Sequence, residues 1–171
     1  MSRASTDQVI LAIDQGTTNS KAVLVSAGGR PVSGGSAPVG VSSPRAGWVE
    51  QDAERIWTSV LEAVAACIAN APDAEIVGVA LSTQRESVVG WRATDGVPLG
   101  PVIGWQDRRT AAWCREALSE QDGQLVTART GLRVDPMFSA PKMRWLLDNT
   151  PAGVSIQDVR LGTVESWLVW R

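Results

Sequence analysis

A short polar run between two apolar segments carries the first candidate chemistry. Asp14 ends an apolar stretch, and Gly16 then allows the backbone to turn tightly. The hydroxyls of Thr17 and Thr18 and the ammonium group of Lys21 follow. Amide, hydroxyl and ammonium groups around one turn can bind a phosphoryl group, and a nearby carboxylate can hold Mg²⁺ directly or through water. The same residue types also make ordinary polar hairpin turns, so composition alone leaves both interpretations open.

A second candidate group follows a later apolar run, residues 76–81. Gln84, Arg85 and Glu86 come just after it, and the ends of strands in open α/β sheets commonly carry functional groups. An arginine fork and a carboxylate can bracket vicinal hydroxyls, one donating and the other accepting. Trp105 offers an apolar wall for a sugar or polyol. The alternative for Arg85 and Glu86 is a surface ion pair, and the alternative for Trp105 is ordinary core packing.

Composition excludes several classes of function. The 171-residue chain contains no histidine, which excludes a Ser-His-Asp triad, a Cys-His pair and an HExxH zinc helix. Its net charge is −2, and its longest cationic run is Arg108-Arg109, so we expect no nucleic-acid binding through a basic face.

The sequence also predicts a compartment. No apolar window approaches the length of a membrane span, and no apolar signal segment precedes the first strand, so we expect a cytoplasmic protein without membrane contact. Cys67 and Cys114 are far apart in predicted helices, and we interpret them as buried thiols of a reducing compartment, with a disulfide as the alternative.

The elements that must position these residues follow from periodicity and turn residues. Three antiparallel strands are predicted at residues 9–13, 21–26 and 31–41, followed by a helix from the N-cap Asp52 to about residue 69. Its apolar stripe is Ile56, Val60, Leu61, Val64, Cys67 and Ile68. Residues 76–81 form a continuous apolar run, which predicts a buried strand parallel to one of the first three.

The second half of the chain predicts a small hairpin and several helices. The hairpin joins residues 88–91 to residues 102–105. The remaining elements are helices at 110–118 and 139–148, the second with Ser139 as its N-cap, then a strand at 159–162 and a helix from residue 164. We expect Trp167, Leu168 and Trp170 to lack packing partners there and to leave an apolar surface uncovered. This order of elements favours an α/β domain of the ribonuclease-H-like type, with a mixed sheet and helices on both faces.

Eight motifs occur in an order that resembles the N-terminal lobe of FGGY carbohydrate kinases, with the greatest likeness to glycerol kinases. The resemblance covers the chain from residue 9 onward and predicts an N-terminal tail, 1–8, before a domain at 9–171 that is truncated at its C-terminal end. The motifs are ILAIDQGTTNSKAV at 10–23, GWVEQD at 47–52, TQRE at 83–86, WQDRRT at 105–110, GL at 131–132, DPMFSAPK at 135–142, WLLDN at 145–149 and GTVESWL at 162–168.

The resemblance implies an actin-like ATPase fold and transfer of the γ-phosphoryl group of ATP to a sugar or polyol hydroxyl. It assigns Asp14 to a Mg²⁺ site and the turn with Gly16, Thr17, Thr18 and Lys21 to the phosphoryl group. It assigns Gln84, Arg85, Glu86, Trp105 and the position of Met137 to the substrate. The family's catalytic aspartate and adenosine site would lie beyond Arg171, so no catalytic base is expected within this chain.

Two residues depart from the glycerol kinase pattern. Met137 stands where these kinases have a tyrosine that hydrogen-bonds the substrate, which puts glycerol in doubt as the acceptor. Lys21 replaces a more usual arginine and keeps the charge without the bidentate geometry.

Three functional hypotheses remain at this stage. The first is the substrate-side domain of a kinase that works with a second lobe. The second is a non-catalytic polyol-binding fragment or a split-enzyme subunit, with a second lobe or a second copy of the chain as partner. The third, an actin-like or chaperone-like ATPase domain, is disfavoured because residues 84–86 and 105–106 suit a polyol pocket.

Overall fold

The computed structural model describes residues 8–171, so most of the predicted tail, residues 1–7, lies outside the described residues. Eight strands, five α-helices and one 3₁₀ helix, Ile156–Asp158, lie within this range. The strands are β1 Gln8–Gln15, β2 Asn19–Ser26, β3 Pro31–Pro38, β4 Glu50–Gln51, β5 Glu75–Thr83, β6 Val88–Arg92, β7 Val102–Ile103 and β8 Val159–Thr163. The α-helices are α1 Ala53–Ala69, α2 Ala111–Glu116, α3 Glu120–Thr130, α4 Ser139–Asp148 and α5 Val164–Trp170.

The chain divides into two compact units. Unit 1 contains the described residues up to Gly40 together with Glu54–Gln84, and unit 2 contains Val41–Ala53 and Arg85–Arg171. The sheet of unit 1 has the order β3-β2-β1-β5. β1 pairs antiparallel with β2 and parallel with β5, which confirms the predicted meander and the parallel strand that follows a helix.

One face of the unit 1 sheet packs against α1. Leu11 and Leu24 from the sheet form a core with Ala63 and Cys67 from the helix. The predicted stripe is correct at Ile56, Val60, Val64 and Cys67, but Leu61 and Ile68 are exposed, because the side of the helix that meets the sheet carries Ala63 instead. Cys67 is buried as predicted, whereas Cys114 in unit 2 is only half-buried, and both are free thiols.

Strand β5 differs from its prediction as a buried strand. It occupies an edge of the unit 1 sheet, and the side chains of Val77 and Val79 are 53% and 66% exposed. Its apolar sequence determines that it forms a strand, but burial also requires neighbours on both faces and both edges.

Unit 2 contains a second sheet with the order β4-β7-β6-β8. The predicted hairpin partners, β6 and β7, pair only through Val88 and Ile103, because β6 forms most of its antiparallel ladder with β8. Val88, Ile103 and Leu146 of α4 form a core cluster in this unit.

The helices of unit 2 correct three predictions. Helix α3 was not predicted, since it buries no side chain and therefore has no apolar stripe; its end signals are the capping Ser119 and the left-handed Gly131. The N-cap of α4 is Phe138 rather than Ser139. In α5, Trp167 and Leu168 are buried and the ring centre of Trp170 lies 6.3 Å from that of Trp91, so the expectation that these three residues lack packing partners is wrong. The uncovered apolar surface is limited to Val169 and the exposed part of Trp170. Across residues 8–171, no helix has the length and apolar character needed to span a membrane.

Candidate functional site

The polar run of unit 1 is a hairpin turn between β1 and β2. Asp14 on β1 lies directly opposite Lys21 on β2, so both side chains point to the same face of the sheet, and both are exposed. The Gly16 N–H donates to the carbonyl of Asn19 at 2.9 Å, so this glycine closes the turn with its own amide. Thr17 is half-buried and Thr18 is exposed. The turn thus presents a carboxylate, an ammonium group and hydroxyls to solvent.

A buried pair of amide side chains supports this turn from within unit 1. Gln15 is fully buried, and its Nε2 donates to the carbonyl of Gly16 at 2.7 Å. Gln84, at the end of β5, donates from Nε2 to Oε1 of Gln15 at 3.0 Å and from its backbone N–H to the Gln15 carbonyl at 2.7 Å. Gln84, which the resemblance assigns to the substrate, therefore contacts the side chain that supports the hairpin turn of unit 1. The sequence motif contains Gln15, but only the fold shows that its side chain points inward.

Glu86 has an unusual backbone conformation in unit 2. Its φ is 66°, and it is the one non-glycine residue with positive φ in the described part of the chain. Such a conformation costs about 1–3 kcal/mol and persists only where the surroundings hold it. The contact that holds it is at the start of α4, where the backbone N–H and the hydroxyl of Ser139 donate to Oε2 of Glu86 at 2.8 and 2.7 Å. The Ser139 hydroxyl is thus directed to Glu86, and the N-cap Phe138 makes no side-chain capping hydrogen bond. Arg85, the preceding residue, is exposed.

Trp105 is tied to the same segment. Its backbone N–H donates to Oγ of Ser87, a buried residue next to Glu86, at 3.1 Å. Trp105 is 40% exposed, so part of this residue is accessible to solvent.

Met137 lies in a loop that a buried lysine holds. The Met137 N–H donates to Oδ1 of Asp135 at 2.8 Å, and its carbonyl accepts a hydrogen bond from Nζ of Lys142. Lys142 Nζ also donates to the Pro136 carbonyl at 3.3 Å. Burial lowers the pKa of Lys142 from 10.5 to about 8, and the charges of nearby carboxylates, Glu86 foremost, offset part of this effect. The Met137 side chain itself is 37% exposed.

A charged network that the sequence did not predict fixes the loop after Trp105. Asp107 is fully buried and accepts from the Val49 N–H at 2.7 Å and from Nη2 of Arg109 at 2.8 Å. The Arg109 guanidinium lies 3.7 Å from the ring centre of Trp48 and 4.6 Å from that of Trp145. The sequence contains one signal for this network, the Asp-x-Arg spacing. The residues that Asp107 and Arg109 contact, Val49, Trp48 and Trp145, are distant in the chain.

The structure thus brings together part of the predicted site. In unit 2, hydrogen bonds join the segments that carry Glu86, Trp105 and Met137, with Arg85 adjacent in the chain. In unit 1, Asp14, Gly16 and Lys21 share one turn, and Gln84 supports it.

Comparisons with known proteins show which family this chain resembles along its length. The model of the N-terminal domain of the FGGY family of carbohydrate kinases matches residues 9–171. Apulose kinase of Pectobacterium atrosepticum is 42% identical over 166 residues, which cover 95% of this chain and 34% of that protein. Glycerol kinase 1 of Pseudomonas aeruginosa is 42% identical over 167 residues, again 95% of this chain and 34% of the relative.

Solved structures show the same fold. Plasmodium falciparum glycerol kinase with ADP aligns at a TM-score of 0.88 and 25% identity, covering 99% of this chain and 35% of that one. Xylulose kinase from Rhodospirillum rubrum aligns at a TM-score of 0.84 and 26% identity, covering 94% of this chain and 33% of that one. These matches confirm the predicted mixed α/β architecture of the actin-like ATPase type. The chain spans about a third of the length of the proteins it matches.

Proposed function

This chain belongs to the FGGY family of carbohydrate kinases, and from that membership we propose that it forms the substrate-side part of an enzyme that phosphorylates a sugar or polyol with ATP. Residues 9–171 are proposed to be the N-terminal domain of that enzyme, which comprises the two compact units. The observation that carries the proposal is that hydrogen bonds join the segments carrying Glu86, Trp105 and Met137 in unit 2: Ser139, two residues after Met137, donates to Glu86, and Trp105 donates to Ser87.

The acceptor would bind to groups of unit 2. Arg85 donates from a planar fork and Glu86 accepts, so together they can hold two neighbouring hydroxyls of one molecule. The exposed face of Trp105 packs against the carbon skeleton. Met137 contributes an apolar surface where a tyrosine would donate a hydrogen bond, which favours a sugar or larger polyol over glycerol.

The phosphoryl group would bind at the hairpin turn of unit 1. Lys21 and the hydroxyls of Thr17 and Thr18 are the donors, while Gly16 closes the turn and Gln84 supports it through Gln15. Asp14 suits Mg²⁺, because this ion is commonly bound through one or two carboxylates, water and substrate phosphates rather than a complete protein cage. When bound, Mg²⁺ would neutralise charge on the transferred phosphoryl group.

A second lobe is proposed as the partner that completes the enzyme. The matched relatives are about three times as long as this chain, since it covers 34% of their length. The edge strand β5, with Val77 and Val79 exposed, offers an apolar surface for further polypeptide, and a second copy of the chain is the alternative occupant. The use of ATP and the two free cysteines favour the cytoplasm.

The substrate site can be tested by direct binding to the 171-residue chain. Glycerol, D-xylulose and apulose would be titrated while the indole NMR signal of Trp105 is followed, with Trp105→Phe used to assign that signal. We expect saturable binding of at least one compound and its loss in Arg85→Ala, because each charge-assisted hydrogen bond contributes about 1.5–3 kcal/mol. Arg129→Ala, which changes an exposed arginine elsewhere in unit 2, should leave binding unchanged.

Further variants and a transfer assay distinguish the substrate-side domain from a non-catalytic polyol-binding fragment. Met137→Tyr should improve glycerol binding relative to D-xylulose, and an unchanged preference would show that this position does not contact the ligand. Equal binding by Arg85→Ala and the unmodified chain would contradict the assigned substrate site. Binding without phosphoryl transfer in any assembly with a second lobe would favour the non-catalytic polyol-binding hypothesis.

A further inference from the structure

The carboxylate of Glu86 is held by one end of a helix. Ser139 is the first residue of α4, and it approaches Glu86 with two donors, its backbone N–H at 2.8 Å and its hydroxyl at 2.7 Å. Both donors meet the same oxygen, Oε2. The two residues are 53 positions apart in the sequence, so the contact depends on the packing of the fold.

This contact has a consequence for ligand binding. A carboxylate with Oε2 engaged twice cannot rotate freely, and its other oxygen, Oε1, is left with a defined direction. The positive φ of Glu86 shows that its backbone is also held in one unfavourable conformation. The Glu86 carboxylate is therefore oriented both by its own backbone conformation and by the hydrogen bonds to Oε2.

The same turn of α4 fixes a second part of the proposed site. Lys142, three residues after Ser139, is fully buried, and its Nζ donates to the carbonyls of Pro136 and Met137. The beginning of α4 therefore holds both the carboxylate of Glu86 and the backbone of the Met137 loop.

We propose that Ser139 is a positioning residue for substrate recognition: by engaging Oε2 of Glu86, it directs Oε1 to accept a hydrogen bond from a hydroxyl of the sugar or polyol. This inference rests on the proposed function, because it assumes that Glu86 contacts the acceptor. Ser139 itself does not touch the ligand and acts through Glu86.

The experiment is a double-mutant cycle on the 171-residue chain, with glycerol, D-xylulose and apulose as probes. Ser139→Ala should weaken binding of the recognised compound about tenfold, the effect of one charge-assisted hydrogen bond, and Ser139→Thr should restore it. In a Glu86→Ala background, Ser139→Ala should have no additional effect, because the residue through which it acts is missing. Ser119→Ala, at the exposed N-cap of α3, is the matched control and should leave binding unchanged.

Hydrogen exchange provides a second measurement that needs no ligand. The Ser139 amide should exchange slowly in the unmodified chain and at least about tenfold faster in Glu86→Ala, because its acceptor is lost. Ser139→Ala with unchanged ligand binding would overturn the positioning role of Ser139. An equal loss of binding from Ser139→Ala in the Glu86→Ala background would do the same. Neither result would affect the proposed function. If the unmodified chain binds none of the three compounds, that result would instead overturn the proposed function and, with it, this inference.

Discussion

Replacing Lys142 with methionine should remove a specific pH dependence of stability. Lys142 is fully buried, and its pKa is lowered from 10.5 to about 8 because burial penalises the charged form. Below pH 8 both the folded and the unfolded chain hold the proton. Between about 8 and 10.5 the folded chain has released it and the unfolded chain has not, so the free energy of unfolding rises with pH in this window.

The size of the effect follows from the two pKa values. One pKa unit corresponds to about 1.4 kcal/mol, so the interval from 10.5 to about 8 gives a gain of up to about 3 kcal/mol across the window. The sequence makes this window unusually simple, because it contains no histidine, no tyrosine and two lysines, Lys21 and Lys142. Burial raises the pKa of the Cys114 thiol from 9.0, which acts in the opposite direction and cancels between variants that keep this residue.

Urea denaturation at pH 7, 8, 9 and 10 would measure the effect. Intrinsic fluorescence reports mainly on unit 2, because Trp57 is the one tryptophan that lies in unit 1. Lys142→Met should lack the rise seen in the unmodified chain, whereas Lys21→Met, which changes the exposed lysine, should retain it. Parallel pH profiles for the unmodified chain and Lys142→Met would show that Lys142 is not the source of this pH dependence.

Two further substitutions test the packing of each unit. Gly35→Ala should destabilise unit 1 by about 3 kcal/mol or more, because its Cβ would lie 2.2 Å from a backbone oxygen of α1. Gly34→Ala is the control and should cost much less, because its Cβ would make an ordinary contact at 3.7 Å. Urea denaturation followed by circular dichroism would measure both variants. Arg109→Met should cost about 3–5 kcal/mol in urea denaturation followed by fluorescence, because it leaves the buried carboxylate of Asp107 without its charged partner; a loss below 1 kcal/mol would contradict the central role of this pair.

The sequence predicted the elements whose signals are local. Turn residues and apolar periodicity located β1, β2 and α1, and Gly16 correctly indicated the hairpin. Helix α3 was missed because it has no apolar stripe. The exposure of Val79 was not predictable from an apolar run, since burial depends on which elements cover a strand.

The candidate site was also predictable only in part from the sequence. The residue types at the strand ends, such as Arg85 and Glu86, were sufficient to suggest binding of hydroxyl groups, and their order along the chain indicated the family. The groups that orient them were not predictable. Ser139 reaches Glu86 across 53 residues, so an ordinary helix-capping signal was the better interpretation of that serine from local sequence.

We propose that this chain provides the substrate side of a kinase and needs a second lobe for phosphoryl transfer. The decisive assay is ATP-dependent phosphorylation of glycerol, D-xylulose and apulose, measured as acceptor-dependent ADP release. The 171-residue chain would be compared with a fusion to the remaining C-terminal part of the Pseudomonas aeruginosa glycerol kinase 1. We predict no turnover by the chain alone and turnover by the fusion, abolished by Asp14→Ala. Turnover by the chain alone, or no turnover by a folded fusion that binds both ATP and an acceptor, would contradict the need for a second lobe.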